Sequence, residues 1–394
     1  NNEIHNTGSY DHSRNRQYTN VYGIYYYPRY KSVGASKING NNIHHIDSSA
    51  ISTSYYYNYG IYAYPYYSQG TSLEINDNNI VTKTSGKRYY YGIYNYGYQV
   101  RISSLMTVNN NKMVLDHKNT STTDYCYIYG IYDWGAYYNS TTYKTQCNAN
   151  DIYINVGYGG YGIYSRYYYA NIDECEVNNN LINMNHDGFG YGYYNYGYQQ
   201  RSDMDFYNNT IKLGPWTKGT FSRTSTSYCY YNYYGRGERR NNTFTMQNKK
   251  TGGTKYCVYT NRPNSATYKD NNLWMDPTMP GTKYYGYYNT SNTNSFNNWT
   301  SAAGSAATTT NHEPLFVDNL KTLRPTNPSL VNAGEVISTV TTDVFGTTRN
   351  VTTPDIGAIE FYLDIEVTKV TLTGTSECAG YDEDVTITLK NNSA

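Results

Sequence analysis

Tyr91-Gly92-Ile93-Tyr94-Asn95-Tyr96-Gly97-Tyr98-Gln99 decides the fold, because it recurs along the chain. Tyr-Gly-Ile-Tyr also starts at Tyr22, Tyr59, Tyr129 and Tyr161. Tyr-Gly-Tyr-Tyr starts at Tyr191 and Tyr285, and looser copies lie near Tyr231 and at Tyr256-Cys257-Val258-Tyr259. From Tyr22 to Tyr191 successive starts are 37, 32, 38, 32 and 30 residues apart, and Tyr94 to Gln99 returns unchanged at Tyr194 to Gln199. A fixed period in this range signals stacked supersecondary units.

A second marker keeps phase with the first. Asn-Asn followed by an apolar residue occurs at Asn1-Asn2 (Ile4), Asn41-Asn42 (Ile43), Asn78-Asn79 (Ile80), Asn110-Asn111 (Met113), Asn179-Asn180 (Leu181), Asn208-Asn209 (Ile211), Asn241-Asn242 (Phe244) and Asn271-Asn272 (Leu273). Asn148-Ala149-Asn150, before Ile152, is a degenerate copy. Between the markers the chain alternates like a strand, as in Ser72-Leu73-Glu74-Ile75-Asn76. Asparagine tolerates the left-handed conformation of a turn, and amides stacked one rung apart can bond into a ladder. Each repeat therefore reads strand, turn, strand, asparagine turn, strand, variable loop. No helical period, leucine-rich pattern or Trp-Asp blade signature competes. The fold class is all-β, a parallel β-helix of about nine or more coils; at ~4.8 Å per coil it would be a rod of roughly 45 Å.

Composition agrees. Tyrosine supplies 55 and asparagine 50 of the 394 residues, against 12 for Phe and Trp together. A chain so rich in aromatic residues is not disordered despite its mean hydropathy of −0.78. With 31 basic and 30 acidic residues the net charge is +1, which argues against a nucleic-acid binder, since that would need a basic face to neutralise phosphates. No apolar run is long enough to span a bilayer. Period two sends Ile24, Ile61, Ile93, Ile131 and Ile163 inward, and the preceding Gly and following Tyr outward. Tyr25, Tyr62, Tyr94, Tyr132, Tyr164 and Tyr194 then form an outer ladder, which tiles a sheet as readily as it binds a ligand. Tyr94, Tyr96 and Tyr98, with their copies Tyr194, Tyr196 and Tyr198, are the candidate binding surface. Such rings can stack on sugars or on a neighbouring filament while keeping their hydroxyls in water.

Catalytic chemistry has little to stand on. The densest acids, Asp173-Glu174 with Glu176, and Asp203 with Asp205 near Arg201, read as solvated carboxylates; the rival reading is a lyase-type site. His44-His45, His117, His186 and His312 form no recognisable motif. No metal-ligand, phosphate-loop or dinucleotide signature occurs. No catalytic, cofactor or metal residue is assigned, and Arg236 to Arg240 reads as a solvated loop. Cys147 and Cys175 are 28 residues apart, as are Cys229 and Cys257, close to one coil. Both pairs are candidate disulfides, since equivalent positions on adjacent coils lie within disulfide reach. Cys126 is left over, and Cys378 seeks a partner beyond residue 394.

Tyrosine thins out after residue 290, and Asn292 to Thr310 reads as a polar loop. Then come Asn327-Pro328-Ser329-Leu330-Val331-Asn332-Ala333-Gly334, Thr342-Asp343-Val344-Phe345-Gly346-Thr347-Thr348-Arg349 and Pro354-Asp355-Ile356-Gly357-Ala358-Ile359-Glu360-Phe361. This triple resembles the closing segment, SPAINAG, then D-x-D-G-x-x-R, then PDIGAYE, of right-handed parallel β-helix domains in large secreted and surface proteins of Bacteroidota. Phe345 and Ile359 depart from that pattern. The resemblance covers residues 1–362 and implies a right-handed helix, type IX secretion and an adhesin-like role, as in the filamentous adhesins of gliding bacteria. Residues 1–290 are then the Tyr/Asn-rich coils and 291–362 the closing segment. Residues 363–394 alternate like the first strands of an Ig-like β-sandwich. The start, without Met or leader, and the strand-like end suggest a piece of a longer chain, with further coils or a cap ahead of Asn1.

The expected function is a structural or adhesive segment of an extracellular, cell-surface protein or filament. Its expected partners are neighbouring domains of the same chain, glycans, surfaces or other filament subunits, with no nucleic acid and no membrane span. The alternatives are a polysaccharide lyase or glycoside hydrolase on the same scaffold, and a phage-type tail spike.

Overall fold

The computed structural model describes residues 3–6, 20–30, 32, 34–46, 56–84, 88–98, 100–117, 125–137, 143–166, 172–197, 203–215, 224–261, 266–305, 308–317, 323–361, 365–373 and 384–391. Two units divide the chain, Asn1–Glu360 and Phe361–Ala394.

In the first unit each coil visits three sheets. A tyrosine strand opens it, as in Tyr56–Ala63, Arg88–Tyr98 and Tyr127–Tyr137. A middle strand follows, as in Gln69–Glu74 and Arg101–Thr107. After the asparagine turn comes a third, as in Asn79–Thr84 and Lys112–His117. Equivalent strands of successive coils pair with one another, giving sheets of ten, eight and nine strands. The ten-stranded tyrosine sheet contains nine parallel strands and one antiparallel return, Ser291–Thr293. This is a parallel β-helix. Its register sets like on like: Tyr91 opposite Tyr129, Ile93 opposite Ile131, Tyr94 opposite Tyr132.

The core is a column of such matches. Ile61, Ile93, Ile131 and Ile163 are fully buried. Period two places the preceding glycine outside, but the structure turns it inward. A Cβ on Gly130 would lie 2.5 Å from the Gly162 carbonyl oxygen and 2.7 Å from Cγ2 of Ile152 in the core. Only glycine fits so close a backbone approach. Two consecutive inward positions break the alternation, so Tyr91 and Tyr94, three residues apart, both face outward. In later coils Tyr193 and Tyr230 occupy the isoleucine position and are fully buried. Arg239 joins them, correcting its reading as part of a solvated loop. It is fully buried, with its Nε donating to the Tyr230 hydroxyl at 2.8 Å and its guanidinium between the Tyr230 and Tyr268 rings.

The asparagine turn splits two jobs between neighbours. The left-handed residue is Asp77, Asn110, Ala149, Asn179, Asn208, Asn241 or Asp270. The next residue, Asn78, Asn111, Asn150, Asn180, Asn209, Asn242 or Asn271, builds a buried ladder that begins at Asn41. At every rung the side-chain Oδ1 accepts from both the backbone N–H and the Nδ2 of the rung before, as Asn180 does from Asn150 at 3.1 and 2.9 Å. A second ladder runs with the opposite sense through Asn39, Asn76, Asn109, Asn148 and Asn178, each Oδ1 accepting from the next rung's backbone N–H.

The end of the coil stack departs from a plain polar loop. Residues Phe296–Ala302 form an α-helix with Ser295 as its N-cap. Trp299 of this helix is fully buried against Gly286, Tyr268 and Tyr288, covering the last core rung. From there the closing segment doubles back along the asparagine turns as a strap. Its three sequence parts meet: Arg349 pairs with Glu360 at 3.1 Å, and Asp343 accepts from the Glu360 backbone N–H. Arg349 also donates to Asn179, Asn208 donates to the Asp355 carbonyl, and Asn241 exchanges bonds with the Glu335 backbone. Ala358, Ile359 and Phe316 pack with Leu181 in a satellite core.

In the second unit Ile365–Thr373 pairs antiparallel with Asp384–Asn391. Among the described residues this pair is all that represents the expected Ig-like module.

Candidate functional site

The most ordered surface is the outer face of the tyrosine sheet. Because Tyr91 and Tyr94 both point out, it carries two ladders. One runs Tyr22, Tyr59, Tyr91, Tyr129, Tyr161, Tyr191, Tyr228, Tyr256, Tyr284, with ring centroids 4.7–5.3 Å apart. The other runs Tyr25, Tyr62, Tyr94, Tyr132, Tyr164, Tyr194, Tyr231, Tyr259, Tyr287, at 4.4–5.2 Å. Rings within a ladder are stacked, whereas rings of different ladders meet edge to face, as Tyr161 and Tyr164 do at 87°. The face is a herringbone.

This packing changes what the face offers. Both flat sides of an internal ring are taken by its neighbours, so stacking on a sugar ring is blocked there. Side chains stand roughly perpendicular to a sheet, so the outer limit of the array is phenol edges and hydroxyls. Burial, then neighbouring phenols, raises the pKa of Tyr94, Tyr164's neighbour Tyr194 and Tyr161 well above 10, and that of Tyr191 to about 12. The array is neutral at physiological pH.

The candidate residues distribute over this face. Tyr94 and Tyr194 belong to the second ladder. Tyr96 and Tyr196 lie one outward position further, Tyr96 edge-on to Trp134 and Tyr196 stacked on Tyr233. Tyr98 stacks on Tyr66 at 5.2 Å. Tyr198 lies outside the described residues. Arg166 sits over the Trp134 ring at 4.0 Å and the Tyr196 ring at 5.4 Å. The motif spacing does not announce the second ladder, because period two alone places the glycine that creates it on the outside.

The acids form a separate feature on the outer side of the middle sheet. Glu176 is opposite Asp205, and the Tyr207 hydroxyl lies 2.9 Å from Asp205 and 3.2 Å from Glu238. Burial holds the Glu176 and Asp205 carboxyls above the usual range, and nearby acids add to it. Glu174 pairs with Lys144, Asp203 with Arg236, and Arg240 with Glu238 and Glu335. Arg201 and the side chain of Asp173 lie outside the described part. Among the described residues no group of three or more His, Cys, Asp or Glu could hold a metal ion. No described helix is long and apolar enough to cross a membrane.

Among the described residues the cysteines at positions 126, 147, 175, 229 and 257 are buried thiols outside any disulfide, so neither candidate pair is bridged. For the first pair the register explains why. The ladder asparagine after Cys175 is Asn180, not Asn178, so Cys175 falls opposite Thr145 rather than Cys147. Cys229 and Cys257 do share a register, in the slot that glycine fills in earlier coils. Their thiols donate to the carbonyls of Thr245 and Trp274 respectively.

One buried cluster had no signal in the sequence. His186, fully buried, has Nε2 2.8 Å from the Ser227 hydroxyl and 2.9 Å from the Asn248 amide. The Lys250 ammonium donates to the carbonyls of Gly188 and Ser225, and that of Lys255 to those of Lys250 and Pro280. These bonds staple the corner where the third strand turns into the next tyrosine strand.

No protein-family model matches this chain, and neither do the curated proteins or the solved structures.

Proposed function

We propose that this chain is a structural and adhesive segment of a large extracellular bacterial surface protein, with the herringbone tyrosine face as its working surface. One observation carries the reading. Two ladders of nine rings each hold only tyrosine, although stacking alone would be served equally by phenylalanine. The conserved chemistry along the rod is therefore the hydroxyl, and a regular array of hydroxyls is a surface for hydrogen bonding. The closing segment, with its likeness to surface proteins of Bacteroidota, supports the extracellular setting.

The test is binding of the chain to immobilised polysaccharides and to bacterial surfaces. Tyr94→Phe, Tyr132→Phe and Tyr164→Phe together keep the stacking and remove three hydroxyls; binding should fall. Equal binding by this variant would count against the face. The acid row favours a second reading, polysaccharide cleavage, because Glu176 and Asp205 are held toward the protonated state beside Tyr207. Cleavage that vanishes in Asp205→Asn would establish that reading instead.

A further inference from the structure

We propose that the partner of the tyrosine face is the same face of a second copy of this chain, the two rods packing front to front. This rests on the reading of that face as the working surface and names its occupant.

Three features of the face point to a copy. The first is period. A partner must match hydroxyls that recur every rung, 4.4–5.3 Å between ring centroids, over nine rungs. An identical sheet has that repeat by construction, as in the facing sheets of stacked β-structures. The second is chemistry. A phenol hydroxyl both donates and accepts, so two identical arrays are complementary to each other. Rows of carboxylates or ammonium groups would repel their own copies. Along both ladders every position is tyrosine, a side chain without charge at physiological pH, so no charge is buried on contact. The third is area. Nine rungs at ~4.8 Å give about 40 Å, and two columns three residues apart, with their rings, are roughly 15 Å wide. That is roughly 600 Å² per copy, or about 1,200 Å² in total, inside the range of specific interfaces. A two-fold axis lying in the plane between the two faces would make the contact isologous and closed, giving a dimer.

Sedimentation velocity of the full chain across the micromolar range tests this, with polysaccharide binding measured in parallel. The expected result is a concentration-dependent dimer. Tyr132→Glu with Tyr164→Glu should weaken it at least ~10-fold by placing charges at the centre of the contact. Thr267→Glu, on the exposed side of the middle sheet, should leave it unchanged. Circular dichroism and the melting temperature verify that the variants are folded. Should the glutamate variant not fold, Tyr132→Phe with Tyr164→Phe keeps the stacks, and the expected outcome is again weaker dimerisation. A chain that stays monomeric throughout, or a dimer indifferent to these changes, overturns the proposal. If such a monomer still binds glycan through the tyrosines, the working-surface reading stands and only the choice of partner falls. If neither self-association nor glycan binding responds to the tyrosines, both fall.

Discussion

Asn180 shows how much one residue holds in this fold. Its Oδ1 accepts two N–H groups from Asn150, while its Nδ2 donates to Asn209 and to the Cys147 carbonyl. Asn180→Ala leaves several buried polar groups unpaired, at about 1–3 kcal/mol each, so a loss of roughly 3 kcal/mol or more is expected in a urea melt. Asn180→Asp keeps the acceptor and loses the donors, and should also be destabilising. A change under ~1 kcal/mol for the alanine variant would mean that water replaces the ladder. Gly130→Ala should be comparably costly, since its methyl would meet backbone at 2.5 Å. The doubled asparagines made both the turn and the ladder legible. Which of the two neighbours is left-handed was not, because Asn, Asp and Ala all occupy that slot. Arg239 was illegible for a different reason: a buried arginine between tyrosine rings has the same local sequence as an exposed one.

At the scale of the element, the tyrosine sheet ties stability to alkaline pH. A phenol free in the unfolded chain ionises near 10, whereas burial raises Tyr191 and Tyr256 to about 12 and several ladder members higher. Folding favours the neutral form. Below pH 10 both states are neutral and the ladders feel no pH effect. Above it the unfolded chain gains by losing protons that the folded chain keeps, so stability falls as pH rises from 10 toward 12. Absorbance at the tyrosinate band should therefore lag the free-phenol curve, then rise steeply with loss of the strand signal. A smooth titration near 10 with the sheet intact would contradict this. Replacing ladder tyrosines by serine removes stacking worth about 0.5–1.5 kcal/mol per pair as well as hydroxyls, which is why phenylalanine is the cleaner probe. Strand order and sheet number followed from the repeat. The cap helix did not, because seven residues, Phe296–Ala302, carry too little period to register.

For the coil unit as a whole, the strap decides which coils are held together. Arg349 is its centre, buried with Glu360, Asp343 and Asp355. Arg349→Met leaves those carboxylates without their counter-charge, a change that typically costs about 3–5 kcal/mol. Limited proteolysis should then cut within residues 327–360 while the tyrosine coils keep their protection; unchanged resistance would show that the ion pair is dispensable. The thiols report on the same unit. The five buried cysteines should react with a thiol reagent only after unfolding. The unfolded chain exposes all six of its cysteines, so fewer than six reactive groups without reductant would reveal a disulfide, with Cys229–Cys257 the pair in register. The three parts of the closing segment could be read separately in the sequence, but their convergence on Asn179, Asn208 and Asn241 could not, since it spans some 170 residues.

The strap also gives the rod a mechanical polarity. A pull along the axis of a β-helix loads the bonds between rungs, and coils come away one at a time from whichever end is weaker. Among the described residues the closing segment bonds the coils of Asn179, Asn208 and Asn241 side by side, like a batten nailed across planks. Those coils share any tension, while the coils of Asn78 and Asn111 carry it through their own ladders alone. Stretched in an optical trap, the unit should shed its early coils at low force in small steps, and yield its battened part last, in one larger event.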